Sequence, residues 1–418
     1  MDRIIVEGGH PLCGEVEIGG SKNAALPILF AGILTGDTCV FSGLPRVGDV
    51  LRSLEILRAL GARIRFAQNG DVCVNYAPVC PLLPPPALTC SIRGSTYLLG
   101  AMLGRFGKAR LAGAGGCNFG ARPIDQHLMG FRRLGAVVSE GDEVLLLANG
   151  GLSGCEITLA MPSVGATANL MLAAVCADGE TVIRNAAAEP HVCALGEFLT
   201  AAGARVEGIG TETVRVFGGS RLHGVSHTVI PDMIEAGTYL CFGAACGGKV
   251  TVKNVCPAHL TALLHTFAQM GIKTVSEKES ITVTCQAKYR NTVVKTAPYP
   301  GFPTDLHPQL TALFAIGERA TGVGVMCEQI WSARFRYVEG LQKMGADIKI
   351  CGDTATVTPT TLHAERLFSP DLRGGAALLL AALATRGESE LTNAAQLARG
   401  YEHLGDKLRA LGARIRVE

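Results

Sequence analysis

The chain has 418 residues, 48% of them hydrophobic, with 38 lysines and arginines against 36 aspartates and glutamates. That length holds one large core or two ordinary domains, and the near balance of charge argues against capture by nucleic acid or an anionic membrane. With only 5% aromatic residues, stacking platforms for bases are not expected either.

The N-terminus, MDRIIVEGG, reads as a short strand with neither the apolar segment nor the cleavage site of a signal peptide. Residues 1 to about 20 are out of phase with the first repeated unit and could complete the last unit of the chain. From there one pattern recurs six times. Its first half is an apolar helix opened by a small or polar turn and followed by a strand: GSKNAALPILFAGIL, GSTYLLGAMLGRF, VGATANLMLAAVCA, IEAGTYLCFGAACG, LHPQLTALFAIGERA and LRGGAALLLAALATRG. Its second half is an amphipathic helix, a glycine and two short strands, as in LEILRALGARIRF and ALGEFLTAAGARVEG. The glycines closing these helices are Gly61, Gly135, Gly203, Gly271, Gly345 and Gly412, 67 to 74 residues apart, each where a left-handed C′ residue is expected. The unit therefore reads β-α-β-α-β-β in an α/β protein, with helices buried and sheets outside. Six units divide into two groups of three at a break near residues 229–231. The predicted domains are 1–20 with 230–418, and 21–229. The proline-rich PVCPLLPPPAL (78–88) reads as a surface loop or short linker. The longest apolar runs, such as 376–384, are too short to span a bilayer.

Candidate chemistry is spread along the same units. Lys22 sits in the first turn of an apolar helix, where a cation is poorly placed; an anionic ligand would resolve this, and a solvated lysine is the plain alternative. Arg93 and Arg373 open the equivalent turns of units two and six, and a rigid guanidinium fork suits phosphate or carboxylate. The chain has 15 cysteines without framework spacing or a CxxC pair, which suggests reduced thiols in the cytoplasm. Most, including Cys39, Cys241 and Cys246, read as small core residues. Cys117 differs, lying in GAGGCNFGARPID (113–125) with Arg122 and a helix start near Pro123 close behind; it is either a reactive thiolate or part of a flexible surface loop. Asp232 and Asp305, at the turns of units four and five, read as helix caps or as site carboxylates. Glycine-rich turns in both halves suggest one anionic substrate in a cleft between two domains, and Arg334, Arg336 and Arg399, which precede or open second helices, could line it. His223 and His227 are four apart, but Gly224 argues against a helical metal pair. No GxSxG motif is present.

With GGSKNAALPIL (19–29), IRGSTYLLG (92–100), GGCNFGARPIDQH (115–127), PSVGAT (162–167), GFPTDLHPQ (301–309), DLRGG (371–375) and RGYE (399–402), the chain resembles the UDP-N-acetylglucosamine 1-carboxyvinyltransferases of the enolpyruvyl transferase family over essentially its whole length. The resemblance implies the inside-out α/β barrel fold, two domains of three repeats each, and the first committed step of peptidoglycan precursor synthesis. It implies that Cys117 is the general acid, forms an adduct with phosphoenolpyruvate and is the residue fosfomycin alkylates. It further implies that Lys22, Arg122 and Arg399 bind the phosphate and carboxylate of phosphoenolpyruvate, with Arg373 near that end. Asp305 would be the base toward the sugar 3′-hydroxyl. Asn23, Arg93, Pro123, Ile124, Asp125, Gln126, His127 and Ile330 would contact UDP-N-acetylglucosamine, and Glu189 and Asp232 would support closure or placement. The implied partners are these two small molecules, with no metal or organic cofactor and no nucleic acid or membrane. Two departures stand out: Ser332-Ala333 replace the family's Glu-Asn before Arg334, and Ala398 replaces its aspartate before Arg399, so both forks are expected to be less well oriented. The alternatives are a related transferase acting on shikimate 3-phosphate and a silent paralogue that binds without turnover.

Overall fold

The computed structural model describes residues 2–112, 124–285 and 287–418. The described residues divide into two compact units, one spanning 20–230 and the other formed by 2–19 and 231–418.

The third repeat shows the full unit. Strand Glu156–Thr158, helix Val164–Ala174, strand Glu180–Arg184, helix Pro190–Ala201 and strands Arg205–Glu207 and Thr213–Phe217 succeed one another. Glu156–Thr158 pairs parallel with Glu180–Arg184, and the remaining strands add antiparallel. A parallel neighbour needs a crossover, which the Val164–Ala174 helix provides. The first repeat takes its parallel strand from the far end of the unit: Ser226–Thr228 pairs with Thr38–Ser42. The second repeat has only three strands among the described residues, Lys108–Leu111, Val144–Leu147 and Val137–Glu140. The segment in the matching place, 78–88, forms only the short helix Pro86–Thr89 at its end. Its prolines lack the N–H groups that a ladder requires.

In the unit of 231–418, the N-terminal residues supply two of the strands. Arg3–Gly8 lies between Gly387–Thr392 and Arg414–Val417, antiparallel to both, and Leu12–Glu17 runs parallel to Gly248–Lys253.

The first helix of each repeat is buried on nearly every side, as its uninterrupted apolar sequence dictates: Lys22–Thr35, Tyr97–Phe106 and Val164–Ala174 in one unit, Met233–Cys246, His307–Ala315 and Leu372–Ala384 in the other. Strands such as Thr213–Phe217 alternate buried and open residues, with one face on these helices. The six marker glycines all have positive φ, between 81° and 106°. Among the described residues each sheet is an open ladder, so no closed barrel forms.

Candidate active site

Asp305 occupies the turn before helix His307–Ala315, but that helix has no side-chain cap. The carboxylate is committed elsewhere. Arg334 Nη2 lies 2.8 Å from its Oδ1, and Arg373 Nε and Nη2 both lie 3.2 Å from its Oδ2. The two guanidinium side chains are 1% and 3% exposed, and the carboxylate 28%. Two buried cations thus share one partly open anion, which removal from water makes obligatory. Arg334 also donates to the Thr304 carbonyl at 3.2 Å, so Ser332-Ala333 do not leave its fork loose. Burial works against the Arg373 charge, but Tyr401 and Asp305 outweigh it and hold the guanidinium above its ordinary pKa. The Arg373 guanidinium lies over the Tyr401 ring, 5.3 Å from its centroid. The Tyr401 hydroxyl is 3.0 Å from Thr238 Oγ1 and accepts from Gln309 Nε2 at 3.2 Å. Asp371 accepts from the Arg373 and Gly374 amides and so starts the helix at the residue that reaches Asp305. Asp232 is likewise a cap, accepting from the Ile234 and Glu235 amides.

Two carboxylates with no sequence signature organise the surroundings. Glu328 is buried; its Oε1 accepts from the amides of Ile330 (2.8 Å) and Trp331 (3.0 Å), and its Oε2 from Thr304 Oγ1 (2.9 Å). It therefore ties the Ile330 segment to the Thr304-Asp305 turn. Beside it His307 is fully buried, edge-on to Phe335 and Tyr337. Burial first, then the Arg334 cation, pushes its pKa well below the usual range, so the ring is neutral. Glu235 accepts from the Gly19 amide at 2.9 Å and from Lys407 Nζ at 2.7 Å. Burial raises its pKa against the pull of Lys407. Arg399 ends the short helix Ala394–Arg399 with Nη1 3.2 Å from Gln396 Oε1, and Arg336 is exposed.

The other unit holds the remaining candidates. Ser21 caps helix Lys22–Thr35 by accepting from the Ala24 amide. Lys22 Nζ lies 3.2 Å from Asp49 Oδ2, with side chains 12% and 6% exposed. The anion expected to offset a lysine at a helix N-terminus is thus supplied by the protein, from the first turn of helix Gly48–Ala59. Gly20 has no room for a side chain, since a Cβ there would lie 1.9 Å from the Gly43 carbonyl oxygen. Asn23 is half-buried in the same first turn, and Arg93 is half-buried where it opens the 3-10 turn Arg93–Thr96. Ile124 precedes helix Asp125–Arg133, Asp125 is exposed, and Gln126 Oε1 accepts from the Met161 amide at 3.4 Å. His127 is buried with Nδ1 3.0 Å from Asn169 Nδ2. Burial, then the nearby Arg93 cation, pulls its pKa down to about 3, so this ring is neutral too. Glu189 stands at the start of helix Pro190–Ala201. Cys117, Arg122 and Pro123 lie outside the described residues.

Cys39, Cys241 and Cys246 are core thiols, and burial pushes Cys246 up to about 12. Among the described residues no three His, Cys, Asp or Glu side chains are grouped to hold a metal ion, and no helix is long and apolar enough to cross a membrane.

Comparison with known proteins bears on this arrangement. The family model of EPSP synthase (3-phosphoshikimate 1-carboxyvinyltransferase) matches residues 6–408. UDP-N-acetylglucosamine 1-carboxyvinyltransferase 2 of Bacillus anthracis is 42% identical, over 99% of this chain and 96% of that protein. The UDP-N-acetylglucosamine 1-carboxyvinyltransferase of Halothermothrix orenii is also 42% identical, over 100% of this chain and 99% of its own. Among solved structures, the enolpyruvyl transferase NikO from Streptomyces tendae superposes with a TM-score of 0.89 at 27% identity, covering 99% of this chain and 98% of that one. An EPSP synthase from Acinetobacter baumannii gives a TM-score of 0.75 at 20% identity over the whole of both chains, a likeness of fold alone.

Proposed function

The chain belongs to the UDP-N-acetylglucosamine 1-carboxyvinyltransferases of the enolpyruvyl transferase family, and from that premise we propose that it transfers the enolpyruvyl group of phosphoenolpyruvate to the 3′-hydroxyl of UDP-N-acetylglucosamine and releases phosphate. The reaction is an addition and then an elimination. The sugar oxygen bonds to C2 of phosphoenolpyruvate while C3 takes a proton, giving a tetrahedral phospholactoyl ketal. The C2–O bond to phosphate then breaks as C3 returns a proton, and the carboxyvinyl ether remains.

The observation that carries this reading is the Asp305 cluster. The two buried guanidiniums fix the Asp305 carboxylate in place while it stays the open member of the three, which suits a group that accepts the hydrogen bond of the sugar hydroxyl and orients it for attack. Cys117 is assigned the proton donated to C3. Lys22, Arg122 and Arg399 are assigned the phosphate and carboxylate of phosphoenolpyruvate, with Arg373 near that end, because fixed cations stabilise the charge that the departing phosphate carries. Asn23, Arg93, residues 123–127 and Ile330 are assigned to the nucleotide sugar. Glu189 and Asp232 support placement, Asp232 through its cap. We assign the helices of each unit to the inside and the sheets to the outside, as in the inside-out arrangement, and the reaction to the cytoplasm, at the first committed step of peptidoglycan synthesis.

A substrate swap tests the proposal. Phosphate is released from phosphoenolpyruvate with UDP-N-acetylglucosamine and not with shikimate 3-phosphate. The converse pattern moves the chain to the other acceptor, and ligand binding without release makes it a silent paralogue. Cys117→Asp keeps turnover, since a carboxylic acid also donates a proton, and resists fosfomycin; a Cys117→Ser protein at full rate removes the donor role.

A further inference from the structure

We propose that Asn169 is a positioning residue that fixes the tautomer of His127, so that the imidazole always offers Nε2–H, and never a bare nitrogen, as its remaining polar group; its use toward the nucleotide sugar rests on the function proposed above. Asn169 lies in the otherwise apolar helix Val164–Ala174 and is fully buried. Two backbone groups fix its carboxamide independently. The Gly100 amide, which can only donate, lies 2.9 Å from Oδ1, and the Gly165 carbonyl, which can only accept, lies 3.2 Å from Nδ2. Turning the amide over would set donor against donor and acceptor against acceptor. Nδ2 therefore faces His127 as a donor at 3.0 Å, and Nδ1 must be the acceptor. A neutral ring that accepts at Nδ1 carries its one proton on Nε2.

The packing around the pair points the same way. A Cβ at Gly100 would come within 2.3 Å of the Asn169 carbonyl oxygen and 2.9 Å of Oδ1, so that glycine brings the two helices to hydrogen-bonding distance. A Cβ at Gly165 would lie 2.9 Å from His127 Cε1 and 3.0 Å from Nε2, so a side chain there would cover the edge that carries the proton. A purely structural histidine has no need of a bare glycine against its second nitrogen. A fixed N–H donor there, close to the Arg93 cation, suits an oxygen acceptor of the nucleotide sugar, and a ring that rotated its proton to Nδ1 would repel it.

The test reads the tautomer directly, by long-range 15N–1H correlation of ring-labelled histidines in the full-length protein, with the His127 signals identified by their loss in His127→Gln. In the unsubstituted protein His127 shows a pyridine-type Nδ1 and a pyrrole-type Nε2 throughout the neutral range; an Nδ1–H form or an imidazolium overturns the inference with no variant needed. Asn169→Asp, of nearly the same shape, presents an acceptor to Nδ1 and drives the ring to Nδ1–H or to imidazolium. Where the ring is Nδ1–H, the KM for UDP-N-acetylglucosamine rises about tenfold, the effect of one misplaced polar contact, with kcat and the KM for phosphoenolpyruvate within about twofold; where it is imidazolium, which keeps the Nε2–H donor, that KM does not rise, and a rise of about tenfold there overturns the role toward the nucleotide. A tautomer change with no change in that KM overturns the role toward the nucleotide. Failure of the unsubstituted protein to bind UDP-N-acetylglucosamine in calorimetry overturns the proposed function instead and leaves the tautomer result standing.

Discussion

Removing the Glu328 carboxylate should loosen the turn that carries Asp305 without touching Asp305 itself. Three donors point at Glu328: the Ile330 amide at 2.8 Å, the Trp331 amide at 3.0 Å and the Thr304 hydroxyl at 2.9 Å. Hydrogen bonds to a charged group contribute about 1.5–3 kcal/mol each, and a buried donor left unmet adds its own penalty. In Glu328→Ala the Thr304 hydroxyl can turn to another acceptor, while two amides fixed in the backbone cannot. The loss is then about 4 kcal/mol. In Glu328→Gln the amide oxygen still serves both backbone donors, the hydroxyl reverses its role, and the loss is about 1 kcal/mol. Urea unfolding measures the difference, monitored where possible by a probe in the unit of 231–418, since two units need not unfold together. Steady-state kinetics should show a raised KM for the nucleotide sugar in the alanine protein, through Ile330. An alanine variant within about 1 kcal/mol of the unsubstituted protein would refute the reasoning, because it would mean the three bonds are replaced by water at no loss.

Neighbouring features lead to further outcomes. Asp49→Ala leaves the Lys22 ammonium in a largely buried site without its 3.2 Å partner, so stability falls by about 2–3 kcal/mol and the KM for phosphoenolpyruvate rises; unchanged urea midpoints would show that the pair is solvent-equivalent. Gly20→Ala drives a Cβ to 1.9 Å from a backbone oxygen that cannot move cheaply, and the protein should lose more than about 3 kcal/mol or fail to fold, as solubility and circular dichroism would show. The His127 pKa is near 3 in the folded chain and about 6.5 when unfolded, so its contribution is complete above the unfolded value and declines as pH falls toward the folded one, by about 1.4 kcal/mol per unit. His307, depressed in the same direction, adds a second decline over the same acid range. The stability lost between about pH 6.5 and pH 5 should therefore shrink by about 2 kcal/mol in His127→Gln, and an unchanged slope would contradict the buried neutral ring.

The repeat was legible because each copy leaves local marks: a helix apolar all round, an amphipathic one, and a glycine where φ must be positive. Gly61 through Gly412 fulfil that requirement at every copy. Asp232 could be read as a cap for the same reason, since its donors are two and three residues away. The Asp305 cluster could not, because its arginines lie 29 and 68 residues along the chain and a carboxylate before a helix looks like a cap in either case. The expectation that Ser332-Ala333 would loosen Arg334 failed because the guanidinium is oriented by Asp305 and Thr304 rather than by its own neighbours. Glu235 and Glu328 carried no signal, their partners being set by tertiary packing. Asn169 did carry one: an amide within VGATANLMLAA is a polar group in a helix with no wet face, and such a group must find partners. Among the described residues the sheet of Lys108–Leu111 has three strands, and the prolines of 78–88, which read as a loop, mark in the sequence why that segment adds none.

The most direct trial of the transferase reading is the mass of the product formed when the purified protein meets both substrates. One carboxyvinyl group added to UDP-N-acetylglucosamine for each phosphate released, with turnover lost in Asp305→Ala and in Lys22→Ala, is the predicted result. Intact UDP-N-acetylglucosamine after prolonged incubation, or phosphate appearing without the sugar ether, would contradict it.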